Sequence, residues 1–254
     1  MRRLLAVGIT LFAVCFALEA QGPPRGPARG AAITPRLAAP FDPTGYWVAQ
    51  ITEDWRYRIT TAPKGDVGGI PTNGKGRGVA AAWDPEKDAA AGESCKPYGA
   101  GGILRMPGRI HITWEGDDTL KLETDSGAQT RWFSFGQPRG QAGEWQGVSA
   151  ASWDRATAAI SGFQLGGGGA SGASLKVVTT KAKPGYLARN GVPYGANASF
   201  TEYYDVFQVP GGDTLLVVTV EVTDPEFLTT PYWYSVHFKK QPDASGWNPQ
   251  PCAR

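Results

Sequence analysis

Neither sign of charge dominates this sequence of 254 residues, which has 25 Lys and Arg residues, 23 Asp and Glu residues and a net charge of +2. Proteins that bind nucleic acid or an anionic membrane surface depend on a basic patch that a large excess of Lys and Arg creates. A net charge this small excludes a chain-wide basic surface. We therefore expect no nucleic-acid partner.

No apolar run reaches the ~20 residues that a membrane-spanning helix needs. The longest, residues 4–18, follows Arg2 and Arg3 and is closed by the small residue Ala20. This pattern is typical of a secretory signal peptide and predicts cleavage after Ala20, with the mature chain periplasmic or secreted and not stably inserted in a membrane. A membrane anchor and lipidation at Cys15 are the alternatives.

Cysteine is scarce, with three residues in the chain, and removal of residues 1–20 leaves Cys95 and Cys252. In an exported chain two cysteines are expected to pair, so we predict a Cys95–Cys252 disulfide; two separate buried thiols are the alternative. Neither cysteine belongs to a C-x-x-C motif, and neither has a His nearby in the sequence. Only two histidines exist, without the spacing of a zinc site, and we expect no metal.

The motifs of the common enzyme classes are missing. The chain has no G-x-S-x-G elbow, no Walker loop and no dinucleotide fingerprint, and the Gly run at 166–169 is not followed by the Lys-Ser/Thr pair of a phosphate loop. These absences argue against the usual hydrolases, nucleotide-binding proteins and redox enzymes. We expect no cofactor, and we interpret the Gly run as a hairpin tip.

Turn formers are abundant, with 34 Gly and 20 Pro residues, and they separate short segments of alternating polarity. The pattern predicts an all-β, single-domain antiparallel meander that closes into a lipocalin- or calycin-like β-barrel, with a sandwich as the alternative. We predict a Pro/Gly-rich disordered linker at 21–40, the barrel domain at 41–254 and one or two short helices near 79–91. The expected strands lie at 45–51, 55–59, 103–106, 109–115, 119–124, 129–135, 174–181, 200–209, 215–222 and 232–239.

Two resemblances support this fold. Gly45, Tyr46 and Trp47 resemble the G-x-W signature of lipocalin-type barrels, in which the Trp packs across the barrel bottom under an Arg of a late strand; here the last strand offers Lys239 and Lys240. The chain is also similar to a family of secreted bacterial proteins. That second resemblance implies export and a β-rich fold, and it is carried by five blocks: 53–58, 109–115, 184–187, 201–205 and 224–229.

Both histidines fall in the middle of predicted strands. Alternation places His111 opposite the apolar residues Ile110 and Ile112, and it places His237 on the same face as Trp233. Polar residues on a strand face that points into a barrel would line a pocket. The alternative for each His is a structural role, in which the side chain faces solvent or is hydrogen-bonded.

Asp205 lies on an aromatic strand and shares a face with Tyr203. Desolvation among aromatic rings would suit this carboxylate to proton transfer, whereas an ion pair with Arg56 or Arg58 would make it structural. Asp54 with His111 or His237 is a second candidate carboxylate and imidazole pair. The nine Trp and nine Tyr residues also suggest carbohydrate stacking, although an aromatic core explains them more simply.

These observations predict an exported barrel that binds a small, partly apolar molecule in its lumen or mouth. The expected contacts are Arg56, His111, Tyr203, Asp205, Trp233 and His237. The alternatives are a cofactor-independent lyase, isomerase or hydratase that uses His111, His237, Asp205 or Asp54 for proton transfer, and a structural module that docks to an envelope protein assembly.

Overall fold

A computed structural model describes residues 33–155 and 172–253 of the chain. The predicted signal peptide, most of the linker and the Gly run at 166–169 lie outside these ranges. The described part is mostly β-structure, and nine of its strands form a closed barrel, as predicted. The strands in chain order are β1 (Gly45–Gln50), β2 (Arg109–Trp114), β3 (Thr119–Thr124), β4 (Ser126–Gly127), β5 (Thr130–Ser134), β6 (Val148–Arg155), β7 (Ala173–Thr180), β8 (Gly185–Ala188), β9 (Val192–Tyr194), β10 (Ser199–Gln208), β11 (Thr214–Thr223), β12 (Tyr232–Lys240) and β13 (Gln250–Pro251).

The barrel order is β1-β12-β11-β10-β7-β6-β5-β3-β2, and β1 closes the ring between β12 and β2. Strands that follow one another around the barrel therefore also follow one another along the chain, which is the predicted meander. One pair departs from it, because β5 and β6 run parallel. Parallel neighbours need a crossover connection, and residues 135–147 supply it. The two remaining pairs, β8 with β9 and β4 with β13, lie outside the ring.

The barrel interior is filled by alternate side chains of its strands. In β2 the predicted alternation is confirmed, since Ile110 and Ile112 are buried while His111 is only half-buried. The other strands add their own buried rows, and together these form one hydrophobic core. The interior positions include Leu120, Leu122, Phe133, Leu175, Val177, Phe200, Leu216, Val218, Val220, Val236 and Phe238. The opposite, more polar rows point away from this core.

Trp47 is fully buried at the start of β1. Its indole Nε1 donates to the carbonyl of Pro43 at 3.0 Å. The Lys240 ammonium lies 4.8 Å from the ring centroid and donates to the Thr44 carbonyl. A lysine therefore places a cation over the tryptophan ring.

A buried ion pair interrupts the apolar interior. Arg131 on β5 donates to both carboxylate oxygens of Glu202 on β10 at 2.9 Å, and both side chains are fully buried. The same guanidinium donates to Thr179 at 3.0 Å, and the Tyr204 hydroxyl donates to Glu202 at 3.1 Å. Burial lowers the pKa of Arg131, but the opposing effect of the Glu202 charge is larger. The net shift of the pKa is therefore upward, and the arginine stays charged.

Asn or Asp side chains cap two of the three α-helices that the described ranges contain. α1 (Trp55–Arg58) is a single turn, and the two predicted helices are confirmed as α2 (Gly74–Ala82) and α3 (Pro85–Ala90). Asn73 accepts a hydrogen bond from Gly76 N, and Asp84 accepts from Glu86 N and Lys87 N, with Pro85 in the first turn. Two 3₁₀ turns follow, Lys96–Tyr98 and Ile103–Arg105.

Two predicted strands were wrong. Residues 55–59 contain α1, and residues 103–106 contain a 3₁₀ turn. In the first segment the expected burial is also reversed, because Trp55 and Ile59 are exposed by more than half whereas Arg58 is fully buried. The alternation of Trp55, Tyr57 and Ile59 with arginines imitated a strand, but the partners of Arg58 decide the conformation.

The predicted Cys95–Cys252 disulfide is present, and it spans 157 residues of sequence. It joins the turn before Lys96–Tyr98 to the C-terminal tail, where β13 pairs with β4. Closing a loop of this length stabilises the fold by about 4–5 kcal/mol on the loop-entropy model. A disulfide in this position fits an exported protein.

Residues 33–40, the end of the predicted linker, contact the barrel. The Trp153 indole donates to the Pro35 carbonyl at 2.8 Å, and Arg155 donates to the Ala38 carbonyl at 2.7 Å. This segment therefore packs against β6. In the parts of the chain that the structure describes, no helix combines the length and apolar character needed to cross a membrane.

We predict that Arg131→Met lowers the free energy of unfolding by about 3–5 kcal/mol, because Glu202 is left buried without its cation. The double variant Arg131→Met/Glu202→Leu should lose less than the single variant. Urea denaturation of the wild type, both single variants and the double variant checks this. Additive losses in the double variant would contradict the pairing.

Candidate functional site

A cleft of about 320 Å³ opens at the barrel mouth, where β12 begins. We call it the mouth cleft. Its lining comes from β12, from Arg105, from α1 with the segments on either side of it, and from the end of β8. The lining residues are Glu53, Asp54, Tyr57, Asp66, Val67, Gly68, Gly69, Ile70, Arg105, Ala188, Tyr232, Trp233, Tyr234, Ser235 and His237.

One chain of contacts runs from the cleft surface into the protein. His237 Nδ1 lies 3.1 Å from a Glu53 carboxylate oxygen, and the other Glu53 oxygen pairs with Arg58. Because a carboxylate only accepts hydrogen bonds, Nδ1 carries the proton and Nε2 of the neutral ring is an acceptor. Arg58 in turn donates to the Arg105 carbonyl at 3.1 Å, and its Nη2 has no hydrogen-bond partner within the described ranges.

Arg105 is the most buried charged side chain that lines the cleft, with 7% of it exposed. Its Nη1 donates to Asp54 at 3.2 Å and to the Tyr232 hydroxyl at 3.1 Å. The guanidinium also lies 5.1 Å from the centroid of the Tyr234 ring. Among the residues described, Nε and Nη2 have no hydrogen-bond acceptor. The arginine therefore has donors left for a bound oxygen.

Asp54 holds a conformation that few residues adopt. Its φ is 50°, in the left-handed region, and it directly precedes α1. Its side chain does not cap that helix; it pairs with Arg105 instead. A non-glycine residue in this region stores backbone strain, and such strain is common at binding sites.

The electrostatics of the cleft keep its acid–base groups in defined states. Burial raises the pKa of Glu53, but hydrogen bonds from Thr52 and His237 and the charge of Arg58 lower it by more, so Glu53 is ionised. Burial lowers the pKa of Arg58, against the opposing effect of Glu53. Burial also raises the pKa of Tyr232 and Tyr234, so both phenols remain hydrogen-bond donors at neutral pH.

Three of the sequence-predicted residues line the cleft, namely Asp54, Trp233 and His237. The candidate pair of Asp54 with His237 is not formed. His237 contacts the neighbouring carboxylate Glu53, and Asp54 contacts Arg105. Arg56 lies outside the lining, with its guanidinium 5.4 Å from the centroid of the exposed Trp55 ring.

His111 lies elsewhere. It packs face to face on Tyr46, with centroids 3.9 Å apart, and its Nδ1 is 3.5 Å from Glu123. Tyr46 pairs with His111 across β1–β2, whereas Gln50 pairs with His237 across β1–β12. The two histidines are thus four residues apart along β1, about 13 Å in a strand, and on opposite sides of it.

Tyr203 and Asp205 occupy the outward row of β10. Asp205 accepts a hydrogen bond from Ser174 at 2.6 Å, and the Lys176 ammonium lies 5.6 Å from the Tyr203 ring centroid. The expected ion pair of Asp205 with Arg56 or Arg58 is wrong. The carboxylate buried among aromatic rings is Glu202, whose side chain points to the interior because it is one residue out of phase.

The residues that sequence analysis missed are Glu53, Arg58, Arg105, Tyr232 and Tyr234. Arg105 stands between Leu104 and Met106 in the sequence, an apolar context that is consistent with its burial. Arg58 had the opposite signal, because its segment resembled a half-exposed strand. Only the fold brings these five residues together.

Comparison with protein-family models, with curated proteins and with solved structures finds no match for this chain. Within the described ranges, no three His, Cys, Asp or Glu side chains are grouped so that they could hold a metal ion.

We predict that Glu53→Gln flattens the acid limb of the stability profile. A carboxyl whose folded pKa is lowered stabilises the fold above its unfolded pKa of about 4.3, and that contribution is lost as the pH falls through the folded pKa. The stability difference between wild type and Glu53→Gln should be full above pH ~5 and shrink below pH ~4. Urea denaturation across pH 3–7 measures it.

Glu144→Gln, at an exposed position of another segment, controls for the general loss of a negative charge. A Glu53→Gln curve parallel to that of the wild type over the whole range would contradict the assignment.

Proposed function

We propose that this chain is an exported barrel protein that binds a small, partly apolar molecule in the mouth cleft. The observation that carries the proposal is Arg105, a nearly buried arginine with unused donors. The cleft around it combines apolar and aromatic residues with three carboxylates, of which Glu53 pairs with Arg58 and Asp54 pairs with Arg105. Clefts that combine apolar walls with a few polar groups are typical of small-molecule sites.

The cleft chemistry favours a ligand with an oxygen-bearing head and an apolar body. Arg105 and the Tyr232 hydroxyl can donate to a carboxylate or carbonyl oxygen, and a buried guanidinium suits such a partner. Val67, Ile70 and Ala188 offer apolar contacts to the body of the molecule. The mouth is favoured over the lumen because buried side chains fill the barrel interior.

Export is supported by two independent features. The disulfide pairs the two cysteines outside the predicted signal segment, and disulfides persist in oxidising compartments. The pattern of residues 1–20 is that of a secretory signal peptide. Together they favour a periplasmic or secreted location.

We predict that the protein binds 8-anilinonaphthalene-1-sulfonate and simple aryl carboxylates such as 4-phenylbutyrate, and that His237→Ala and Tyr232→Phe weaken this binding by about tenfold. Isothermal titration for the carboxylates and dye fluorescence measure it. The variants should remain folded because Tyr232→Phe removes only a hydroxyl and His237 is partly exposed.

His111→Ala is the matched control, since this histidine has comparable exposure and lies outside the cleft. It should leave binding unchanged. Equal losses in His111→Ala and His237→Ala, or no binding of any probe, would count against the mouth cleft.

The alternative is a cofactor-independent enzyme that uses proton transfer, and one observation favours it. Glu53 holds the proton of His237 on Nδ1, Arg58 holds Glu53, and Nε2 is left as the basic nitrogen. An imidazole oriented by a carboxylate is the arrangement that general bases use. Its proton would come from a carbon acid bound against Arg105, which would stabilise the resulting enolate oxygen.

If this alternative holds, the protein accelerates exchange of α-protons for deuterium in aryl ketones and 2-oxo acids in D₂O. Proton NMR at pD 7–8 follows the exchange. His237→Gln and Glu53→Gln should each reduce the rate by about 10²-fold or more. If all of these compounds exchange at the rate measured in buffer alone, the enzyme alternative is wrong and the binding proposal is retained.

A further inference from the structure

The tryptophans of this chain mostly do not form its core. Of the nine, Trp47 alone is fully buried, Trp55 and Trp233 are exposed, and the other six are intermediate. Trp114 and Trp153 pack against the barrel core. The sequence-based interpretation that an aromatic core explains the tryptophans is therefore wrong for most of them, and Trp132 and Trp145 need another explanation.

Both of these residues line a second concavity of about 240 Å³, on a side of the barrel that does not include β12. It exists because β5 and β6 are parallel. The connection 135–147 must return along β5 to start β6, and a groove remains between them. We call it the crossover groove. Its lining residues are Gln129, Thr130, Arg131, Trp132, Arg139, Gly140, Gln141, Glu144, Trp145, Gln146 and Gly147.

Cations orient the two indoles. The Lys183 ammonium lies 4.3 Å from the Trp145 ring centroid, and the Arg139 guanidinium lies 5.8 Å from that of Trp132. Such contacts hold a ring in place from one face. Both rings also line the groove, so they offer preoriented apolar surface to whatever occupies it.

Amides form the polar part of the lining. Gln146 donates to the Tyr98 carbonyl at 2.7 Å and to Gln129 at 3.3 Å, which fixes its amide group. Its Oε1 is buried and has no donor within the described ranges, and the residue is only 8% exposed. An acceptor in this condition is costly, so a hydroxyl that reached it would be stabilising. Gln141 on the exposed connection adds a further amide.

The charge of the groove is nearly balanced. Arg131 directs its guanidinium to Glu202 in the interior, which leaves Arg139 and Glu144 as the opposing charges of the lining. A balanced lining neither attracts an anion strongly nor holds a cation. The occupant it suits is neutral, with both hydroxyl groups and an apolar face.

We propose that the crossover groove is a binding site for a neutral pyranose sugar. Pyranose rings present C–H groups on one face, which pack on indole, and hydroxyls at the rim, which pair with amide, guanidinium and carboxylate groups. The volume of the groove lies below the ~300–1,000 Å³ of clefts that hold drug-sized molecules. A groove of this size suits one sugar unit of a longer chain. This site is separate from the mouth cleft and does not depend on its function.

The test uses protein labelled with ¹⁵N at tryptophan, so that each indole N–H gives one NMR signal. The probes are maltose, cellobiose, lactose and N,N′-diacetylchitobiose, each titrated into the millimolar range. At least one disaccharide should shift the signals of Trp132 and Trp145 in a saturable way. The signals of Trp55 and Trp233, which are exposed but lie outside the groove, should not move.

Trp132→Ala and Gln141→Ala should each weaken that disaccharide by about tenfold or more, whereas Trp233→Ala should not. Because Gln141 is exposed, Gln141→Ala should fold normally. It therefore tests the proposal even if Trp132→Ala fails to fold. The proposal is overturned if no probe shifts either groove signal, or if Trp233→Ala weakens the sugar as much as Gln141→Ala. Binding of aryl carboxylates at the mouth cleft is scored separately through Trp233.

Discussion

The arrangement of the barrel mouth depends on the burial of Arg58. A guanidinium cannot lose its charge at any ordinary pH, so a fully buried one must be paired. Glu53 pairs with it and thereby becomes the partner of His237, and the Arg105 carbonyl accepts its Nε. Because these contacts join the segment after β1, α1, the 3₁₀ turn Ile103–Arg105 and β12, they bring the cleft residues together. The same requirement turns a segment with strand-like alternation into a helical turn.

A second buried arginine lies inside the barrel and is paired there. Arg131 and Glu202 satisfy each other inside the barrel, with Thr179 and Tyr204 taking up other hydrogen-bonding groups. Apolar side chains occupy the rest of the interior. The two binding sites that we propose therefore lie outside this interior, in the mouth cleft and in the crossover groove. Each combines residues of one barrel strand, β12 or β5, with residues of the connections beside it.

Much of the fold was predictable because strand alternation and turn residues are local signals. β3 was predicted with its observed bounds, and β2, β10, β11 and β12 to within a residue or so at each end. The candidate site was much less predictable. Alternation correctly grouped His237 with Trp233, but it could not say which face points inward, and it selected Asp205 where Glu202 is the buried carboxylate. A shift of one residue in phase exchanges the two faces of a strand.

The sequence by itself determined the all-β class, and it favoured a meander that closes into a barrel, short helices near 79–91 and the pairing of Cys95 with Cys252. Periodicity, turn chemistry and cysteine count act locally or by elimination. Tertiary structure alone decided the partner of His237, the burial of Arg58 and Arg105, the parallel β5–β6 pair and the groove beside it. Each of these joins residues far apart in the chain. Their energies come from desolvation and pairing of charges, which depend on what the closed barrel brings near and which no local pattern encodes.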